Sequence, residues 1–297
     1  MIYVVLLMQF FAEPMSDPME TTVDLQKSCV GDSPLHEKDP GLQREIAAIL
    51  EKPEMQKLVR GNQLAVSVAD ITYQDTIYYA GVNDDEMMYA ASLPKIAILL
   101  AVLQLVQEGT LFWDFSYRYR LQKMITVSDN GFAAWGADLA TLKPIAKILQ
   151  QEPYCLYEPP LGGLWVGRSY RKGGPNNLDP VENLSHAATT RQTTRFYLLL
   201  ERQQLVSPYF SARMLNLMGP PEHKHKFVKG LEGIKGVKFI ARKSGTWRAF
   251  HSDSALIQHH GKRYILAALS ESYAGETILR EIAKEVDPII MRGVYRQ

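Results

Sequence analysis

The 297-residue sequence predicts an α+β fold in which an antiparallel sheet is flanked by N- and C-terminal helices and carries an inserted all-helical domain. Three observations predict it. Strand-like alternation occurs before residue 91 and again after residue 230, helical periodicity dominates the chain between them, and a helical pattern lies at each end of the folded part. We therefore expect the two ends of the chain to share one sheet beside the insertion.

The α/β domain is expected to comprise residues 41–91 and 230–297. Residues 41–60 carry helical periodicity that Pro53 interrupts, and residues 63–90 are rich in β-branched and aromatic residues, which favour two or three strands. In the C-terminal part, the segments GVKFIARKSGT, FHSDSALIQHH and KRYILAALSE have strand patterns, and the short turns between them favour antiparallel pairing. A final helix follows them.

The inserted helical domain is expected to comprise residues 92–229. Within it, residues 152–188 are rich in Gly and Pro and predict a long irregular loop, a kind of loop that is usually functional or mobile. The segments with helical patterning are 92–108, 120–140, 142–151, 190–205 and 208–218.

Composition argues against several partners. The 33 basic and 32 acidic residues nearly cancel, so no net field attracts nucleic acid, and we expect no nucleic-acid partner. A short basic cluster combines Lys224, Lys226 and Lys229 with His223 and His225, and we interpret it as a solvated turn. Because no cluster has a recognisable metal-ligand spacing, neither a metal nor a cofactor is predicted.

Residues 1–40 are predicted to be a leader or flexible tail. Residues 2–12 (IYVVLLMQFFA) are apolar like the core of a secretory signal, but they lack the positively charged start and are too short to span a bilayer. We predict no stable membrane span and a periplasmic or secreted location. Cys29 and Cys155 are interpreted as two free thiols unless the fold brings them together.

The first chemical motif is Ser92-Leu93-Pro94-Lys95, at the start of the first helix of the insertion. A Ser and a Lys three residues apart lie on one helix face, so Lys95 can reach the Ser92 hydroxyl. Alone this motif is weak, because Ser169-Tyr170-Arg171-Lys172 repeats it and an ordinary helix cap explains Ser92 equally well.

Two further motifs follow in the chain. The tripeptide SDN at residues 128–130 lies at a junction between helical segments, and KSGT at residues 243–246 ends a strand pattern. Separately, they fit a turn and a strand end with a solvated lysine. Together with S-x-x-K, in this order, they form the signature S-x-x-K, S-D-N, K-[ST]-G, and the order excludes Ser169, which follows SDN.

This ordered set resembles the class A β-lactamase family of penicillin-recognising serine hydrolases, and the resemblance covers roughly residues 41–297. It implies a fold like that of β-lactamases and DD-peptidases. The helical domain is trimmed relative to the family, because the spacing from Ser92 to Ser128 is shorter, and the loop up to Thr189 is longer.

The resemblance also implies roles for the catalytic residues. Ser92 is implied to attack the substrate carbonyl, Lys95 to act as a base with a depressed pKa, and Ser128 to relay a proton to the leaving nitrogen. Glu158 is implied to activate the water that frees the acyl-enzyme. It starts the stretch EPPLG, in which Gly162 replaces the Asn of the family pattern E-P-x-L-N, so a plain loop carboxylate stays an alternative.

The substrate-binding residues are implied in the same way. Asn130 is expected to hold Lys95 and the side-chain amide of the substrate, and Lys243 and Ser244 to bind its carboxylate. Gly245 leaves room for a substrate along the strand edge, and the N–H groups of Ser92 and Thr246 are expected to form the oxyanion hole.

Three hypotheses on function follow. The first is a β-lactamase that opens β-lactam rings through an acyl-enzyme on Ser92 and releases the product with the help of Glu158. The second is a D-alanyl-D-alanine peptidase or esterase of the same fold, which acts on a peptidoglycan-like peptide. The third is a penicillin-binding module that is acylated without turnover. The motifs do not separate these hypotheses, because they differ mainly in how the acyl group leaves.

Overall fold

The structure is a computed structural model, and it describes residues 35–152, 154–159 and 161–296. The apolar segment of the predicted leader and Cys29 lie outside the described residues. Within the described part, no helix combines the length and the apolar character needed to cross a membrane.

Strands from both ends of the chain build the main sheet. The strands of the described residues are β1 (Leu64–Asp70), β2 (Tyr78–Val82), β3 (Met88–Tyr89), β4 (Tyr157–Glu158), β5 (Gly162–Gly163), β6 (Trp165–Val166), β7 (His186–Ala188), β8 (Val237–Trp247), β9 (Phe250–His259) and β10 (Lys262–Glu271). The five longest pair in the order β2-β1-β10-β9-β8, and every pairing is antiparallel. The predicted α+β fold with an antiparallel sheet is therefore confirmed, and β8 lies at one edge of the sheet.

Helices cover both faces of this sheet. They are α1 (Pro40–Leu50), α2 (Pro53–Arg60), α3 (Lys95–Gln107), α4 (Phe115–Thr126), α5 (Asn130–Ala140), α6 (Leu142–Gln150), α7 (Thr190–Glu201), α8 (Pro208–Met218), α9 (Phe227–Gly230) and α10 (Gly275–Arg292). The terminal helices α1 and α10 contribute to one apolar core, and α3 to α8 contribute to the other. The predicted helix 120–140 is divided into α4 and α5, because the SDN tripeptide starts a new helix at Asn130.

Strand β1 lies between the two cores, and its side chains point alternately into one core and the other. Leu64, Val66 and Val68 pack in the core formed with the terminal helices, whereas Ala65 and Ala69 pack in the core of the helical insertion. All seven residues of β1 are buried, as expected for a strand covered on both faces.

Helix α3 is the centre of the helical layer. Its first nine residues, from Lys95 to Leu103, are all buried, so it is apolar around its whole circumference rather than on one stripe. Lys95 is consequently carried into the protein interior at the first turn of the helix.

The region predicted as an irregular loop, residues 152–188, contains β4 to β7. Strands β3, β7 and β6 form a small sheet that lies next to the start of α3, and β4 pairs with β5. Each of these strands has two or three residues, which is too short for a periodic pattern to appear in the sequence.

Cys155 is disulfide-bonded, so the expectation of two free thiols is wrong. Spacing along the chain could not reveal this, because disulfide formation depends on distances in the folded protein.

We predict that Leu99→Ala in α3 lowers the free energy of unfolding by about 2–5 kcal/mol, because it leaves a cavity where the side chain is fully buried. Leu161→Ala is the matched control, since Leu161 is 43% exposed and its truncation leaves no cavity. Urea denaturation of both variants measures the difference. Equal losses would contradict the central position of α3.

Candidate active site

Ser92 lies in a turn between β3 and α3. The backbone of Ala91 is left-handed, with φ of 52°, and the amides of Leu93 and Lys95 donate to the carbonyls of Ala90 and Ser92 at 3.1 and 3.3 Å. This tight turn precedes the helix and leaves Ser92 partly exposed. The hydroxyl of Ser92 is therefore presented at the N-terminal end of α3, where the helix dipole favours negative charge.

Strand β8 lies directly against this turn. A Cβ atom built on Gly245 would lie 2.5 Å from the nitrogen of Ser92 and 2.5 Å from the carbonyl oxygen of Ala90. No side chain fits there, so glycine is required for the two backbones to approach. The third motif is thus adjacent to the first, as the ordered signature predicts.

Lys95 connects the first motif to the second. Its buried ammonium donates to the carbonyl oxygen of Ser128 at 2.6 Å, to Asn130 Oδ1 at 2.7 Å, to Ser128 Oγ at 3.3 Å and to the carbonyl oxygen of Asp129 at 3.4 Å. The hydroxyl of Ser92 is not among these acceptors. Burial lowers the pKa of Lys95 to about 7, against the opposing effect of the Asp129 carboxylate. Burial thus brings the titration of Lys95 close to physiological pH.

Ser128 lies between two lysines. Its Oγ accepts from Lys243 Nζ at 2.9 Å and from Lys95 at 3.3 Å, and its backbone is left-handed, with φ of 59°. Asp129 holds this conformation by capping α5, since its carboxylate accepts from the amide of Phe132 at 2.7 Å. A strained backbone thus places one hydroxyl within reach of both ammonium groups.

Lys243 reaches this hydroxyl from β8. It is buried, and its ammonium also donates to the carbonyl oxygen of Ser244 at 2.5 Å. Burial lowers the pKa of Lys243 well below its usual range, and the positive charges of Lys95, Arg242 and Lys226 act in the same direction. Three of the groups predicted from separate motifs, Lys95, Ser128 and Lys243, therefore form one continuous hydrogen-bonded set.

A loop from His223 to Lys226 covers the outer side of this strand. His225 Nε2 lies 3.1 Å from Ser244 Oγ, and Arg242 donates to the carbonyl oxygens of His223 and His225 at 2.9 and 3.2 Å. The expectation of a solvated turn is wrong for Lys226, which is fully buried, because Arg242 ties this loop to the sheet. Sequence carries no signal for this difference, since Lys224 and Lys229 of the same cluster are exposed.

Two aromatic residues that sequence analysis missed lie beside Lys95. The ring centroid of Tyr170 is 4.7 Å from Lys95 Nζ, and its hydroxyl donates to the carbonyl oxygen of Ala91 at 3.1 Å. His186 packs on Tyr170 with ring centroids 4.2 Å apart, and burial lowers its pKa to about 4. Tyr170 belongs to the second Ser-x-x-Lys, so the repeat that was set aside supplies a ring to the site.

Glu158 does not join this cluster. Its strand β4 pairs with β5, where the amide of Gly163 contacts Met87, upstream of the Ser92 turn. Burial raises the pKa of Glu158, and the charges that act on it belong to Arg195, Arg191 and Asp85 rather than to Lys95. Among the described contacts, Glu158 has neither a hydrogen bond nor an ion pair with Lys95. The role of Glu158 as the deacylating base therefore stays a prediction.

The sequence matches the family described as the β-lactamase enzyme family over residues 41–121 and 115–289. No curated protein sequence matches it. The fold is similar to that of the L158E mutant of PBP-A in an acyl-enzyme complex with penicillin G, with 19% identity, a TM-score of 0.65, and coverage of 86% of this chain and 99% of that chain.

Two other solved structures are similar. TLA-3 extended-spectrum β-lactamase has 17% identity and a TM-score of 0.66, with coverage of 85% of this chain and 99% of that chain. The β-lactamase from Sphaerobacter thermophilus DSM 20745 has 14% identity and a TM-score of 0.64, with coverage of 84% and 96%. These identities establish similarity of fold, whereas the family match spans most of the sequence. The chain therefore belongs to the β-lactamase enzyme family, as its ordered motifs predict.

Proposed function

We propose that this protein is a serine hydrolase that opens β-lactam rings by acylation of Ser92, and that Glu158 does not release the acyl group. The observation that carries the proposal is the hydroxyl of Ser128, held between two buried lysines next to the Ser92 turn. Such a set can remove a proton from a nucleophile and deliver one to a leaving nitrogen.

Acylation requires one proton to move away from Ser92 and one to arrive at the leaving nitrogen. Neutral Lys95 accepts the proton of Ser92 as its oxygen attacks the carbonyl, after Lys95 turns from its present acceptors toward Ser92 when substrate binds. The N–H groups of Ser92 and Thr246 stabilise the oxyanion. The carbon–nitrogen bond then breaks, Ser128 gives its proton to the nitrogen, and the protonated Lys95 restores the Ser128 proton.

Substrate binding is proposed for the edge of β8. The ammonium of Lys243 and the hydroxyl of Ser244 supply charge and a donor for a substrate carboxylate, and Asn130, which is exposed, is available to the substrate amide. A β-lactam and a D-alanyl-D-alanine-like peptide share this carboxylate and a reactive amide. Because peptidoglycan-like peptides lie outside the cytoplasmic membrane, we propose a periplasmic or secreted location.

Release of the acyl group is where we propose a departure from rapid β-lactamases. The ring of Tyr170 faces the ammonium of Lys95, and the pKa of Glu158 responds to Arg195 and Arg191 instead. We propose on this basis that water attacking the ester of Ser92 is not activated by Glu158. We propose that the acyl-enzyme is long-lived, which favours a penicillin-binding or peptidase-like role over rapid turnover.

We predict that incubation with penicillin G adds the mass of one intact penicillin molecule to the protein, and that peptide mapping places it on Ser92. Penicillin G is the probe because the PBP-A mutant similar to this chain carries it as an acyl-enzyme. Ser92→Ala should abolish the adduct, and Ser169→Ala, in the other Ser-x-x-Lys, should leave it unchanged. A protein that stays unmodified, or an adduct on another residue, would refute the proposed nucleophile.

We predict that Glu158→Gln changes the rate of acyl-enzyme release by less than about twofold, whereas removing a general base costs about 100- to 10,000-fold. Decay of the penicillin adduct after removal of free drug, followed by mass spectrometry, measures this rate. The exposed Glu152→Gln is the control. If Glu158→Gln slows acyl-enzyme release by about 100-fold or more and Glu152→Gln does not, the rapid β-lactamase of the first hypothesis would be the better assignment.

We predict that the acylation rate constant rises with pH, is half-maximal near pH 7 and levels off about one pH unit higher. The reason is that burial lowers the pKa of Lys95 to about 7 and the base acts only when it has lost its proton. Stopped-flow acylation between pH 5 and 9 measures the profile. The Lys95→Arg variant should lose the rise of the acylation rate constant with pH, since arginine stays protonated. A wild-type rate that is independent of pH across this range would exclude Lys95 as the base.

A further inference from the structure

Lys226 is a buried lysine to which the proposed acylation steps assign no role. Its ammonium donates to the carbonyl oxygen of Gly245 at 2.5 Å, to Thr246 Oγ1 at 2.8 Å and to the carbonyl oxygen of Ser252 at 3.1 Å. The side chain is fully buried. It therefore cannot meet a substrate, and its charge acts on two carbonyls of β8 and β9 and on the Thr246 hydroxyl.

The carbonyl that Lys226 contacts belongs to a peptide group with a proposed function. The Gly245 carbonyl and the Thr246 N–H are the two ends of one planar trans amide, and they point in opposite directions. The N–H end is the proposed oxyanion donor. A cation on the oxygen of an amide increases the polarisation of that group and makes its N–H a stronger donor.

The register of β8 places the two ends of this amide on different sides. The hairpin turns at Arg248 and Ala249, so the flanking pair Trp247–Phe250 closes it. Alternation along an antiparallel ladder then makes Gly245 a hydrogen-bonded partner of Ser252 and leaves Thr246 unpaired to β9. The Thr246 N–H consequently points to the free edge of the sheet, away from the carbonyl that Lys226 contacts.

We propose that Lys226 is a positioning residue that polarises the Gly245–Thr246 peptide group and thereby strengthens the Thr246 N–H as an oxyanion donor. This inference rests on the proposed acylation of Ser92. Lys226 would act through the residues of β8 and β9 that it contacts, two backbone carbonyls and the hydroxyl of Thr246, since its hydrogen bonds do not include Ser92.

The surroundings of Lys226 keep a positive charge at this point. Burial lowers its pKa to about 8, Arg242 acts in the same direction, and the carboxylates of Asp253 and Glu276 oppose both. Two histidines also face it. Burial lowers the pKa of His225 to about 3 and lowers the pKa of His251, so both are neutral at pH 7. Lys226 therefore carries a proton at neutral pH.

The backbone around Lys226 fixes this position. Its φ and ψ of 49° and −120° are rare for a residue with a side chain, and the next amide, of Phe227, donates to Asp253 Oδ2 at 3.1 Å. The carboxylate of Asp253 is in turn held by Arg242. A residue whose unfavourable backbone conformation is held by several neighbouring contacts is typical of functional sites.

The proposal is tested with Lys226→Met, which removes the charge and keeps the length, and with Lys226→Arg, which keeps the charge. Lys224→Met is the control, because Lys224 is an exposed lysine of the same loop. The readouts are the penicillin G acylation rate constant, the dissociation constant of the initial complex, and the infrared stretching frequency of the acyl-enzyme carbonyl. The fourth readout is the NMR shift of the Thr246 amide in the unacylated protein.

We expect Lys226→Met to slow acylation by about 5- to 30-fold, less than the loss of a whole oxyanion donor. The dissociation constant should change by less than about twofold, the carbonyl frequency should rise, and the Thr246 amide proton should shift upfield. Lys226→Arg should restore most of each effect, and Lys224→Met should show none. If Lys226→Met slows acylation but leaves the carbonyl frequency and the Thr246 amide proton shift unchanged, Lys226 only stabilises the fold locally. That result would overturn the proposal.

Failure of the proposed function gives a different result. A wild-type protein that penicillin G does not acylate would refute Ser92 acylation, yet the Thr246 amide shift still reports the polarisation. An amide shift that does not respond to Lys226→Met would overturn the inference whether or not acylation occurs.

Discussion

The buried ion pair between Arg242 and Asp253 is the interaction on which the rest of the site depends. Arg242 Nε and a terminal nitrogen donate to the two Asp253 oxygens at 2.9 and 2.7 Å, and both side chains are almost completely buried. The pair joins β8 to β9 and also fixes the loop that carries Lys226. Breaking a buried pair of this kind leaves an uncompensated charge and costs about 3–5 kcal/mol.

Asp253 also limits the repulsion among the cations of the site. Lys95, Lys243, Lys226 and Arg242 lie close together in the interior, and Asp253 raises the pKa of Lys226 and of Lys243 against burial and the other cations. Most of the remaining contacts of these lysines are to backbone carbonyls and hydroxyls rather than carboxylates. Burial lowers the pKa values of Lys95 and Lys226 to about 7 and 8, because carbonyl oxygens bring no full negative charge that would offset the loss of water. Groups in this range exchange protons easily at neutral pH.

Sequence predicted the parts of this arrangement that local patterns encode. The strands of the main sheet and the helices α1, α2, α8 and α10 have long periodic patterns. The residues Ser92, Ser128 and Lys243 were found because their order along the chain is informative where each motif alone is not. The structure then places them together for a reason that the motifs do not contain, namely the close contact between Gly245 and the Ser92 turn.

The rest depended on distances that no local pattern carries. Tyr170 lies in a Ser-x-x-Lys that is a repeat by chance, and it reaches Lys95 only because β6 and β7 pair with β3. Lys226 shares a basic cluster with exposed lysines and differs from them through its contacts with β8 and β9 and through the loop that Arg242 holds. Glu158 has only a partial match to its catalytic pattern, its strand contacts Met87 through β5, and the charges of Arg191 and Arg195 act on it. A partial match around one carboxylate is therefore weaker evidence than the order of three complete motifs along the chain.

Acylation and hydrolysis of the acyl-enzyme depend on different parts of the fold. The groups proposed for acylation lie on α3, on β8 or in the turns directly before α3 and α5, and these elements pack in the sheet and helix layers. The groups near the ester that would control its hydrolysis, Tyr170 and His186, belong to the segment between α6 and α7. The ring of Tyr170 stabilises the ammonium form of Lys95 by a cation–π contact and occupies space beside it. Changes in this segment can therefore alter the lifetime of the acyl-enzyme while the machinery that forms it stays the same.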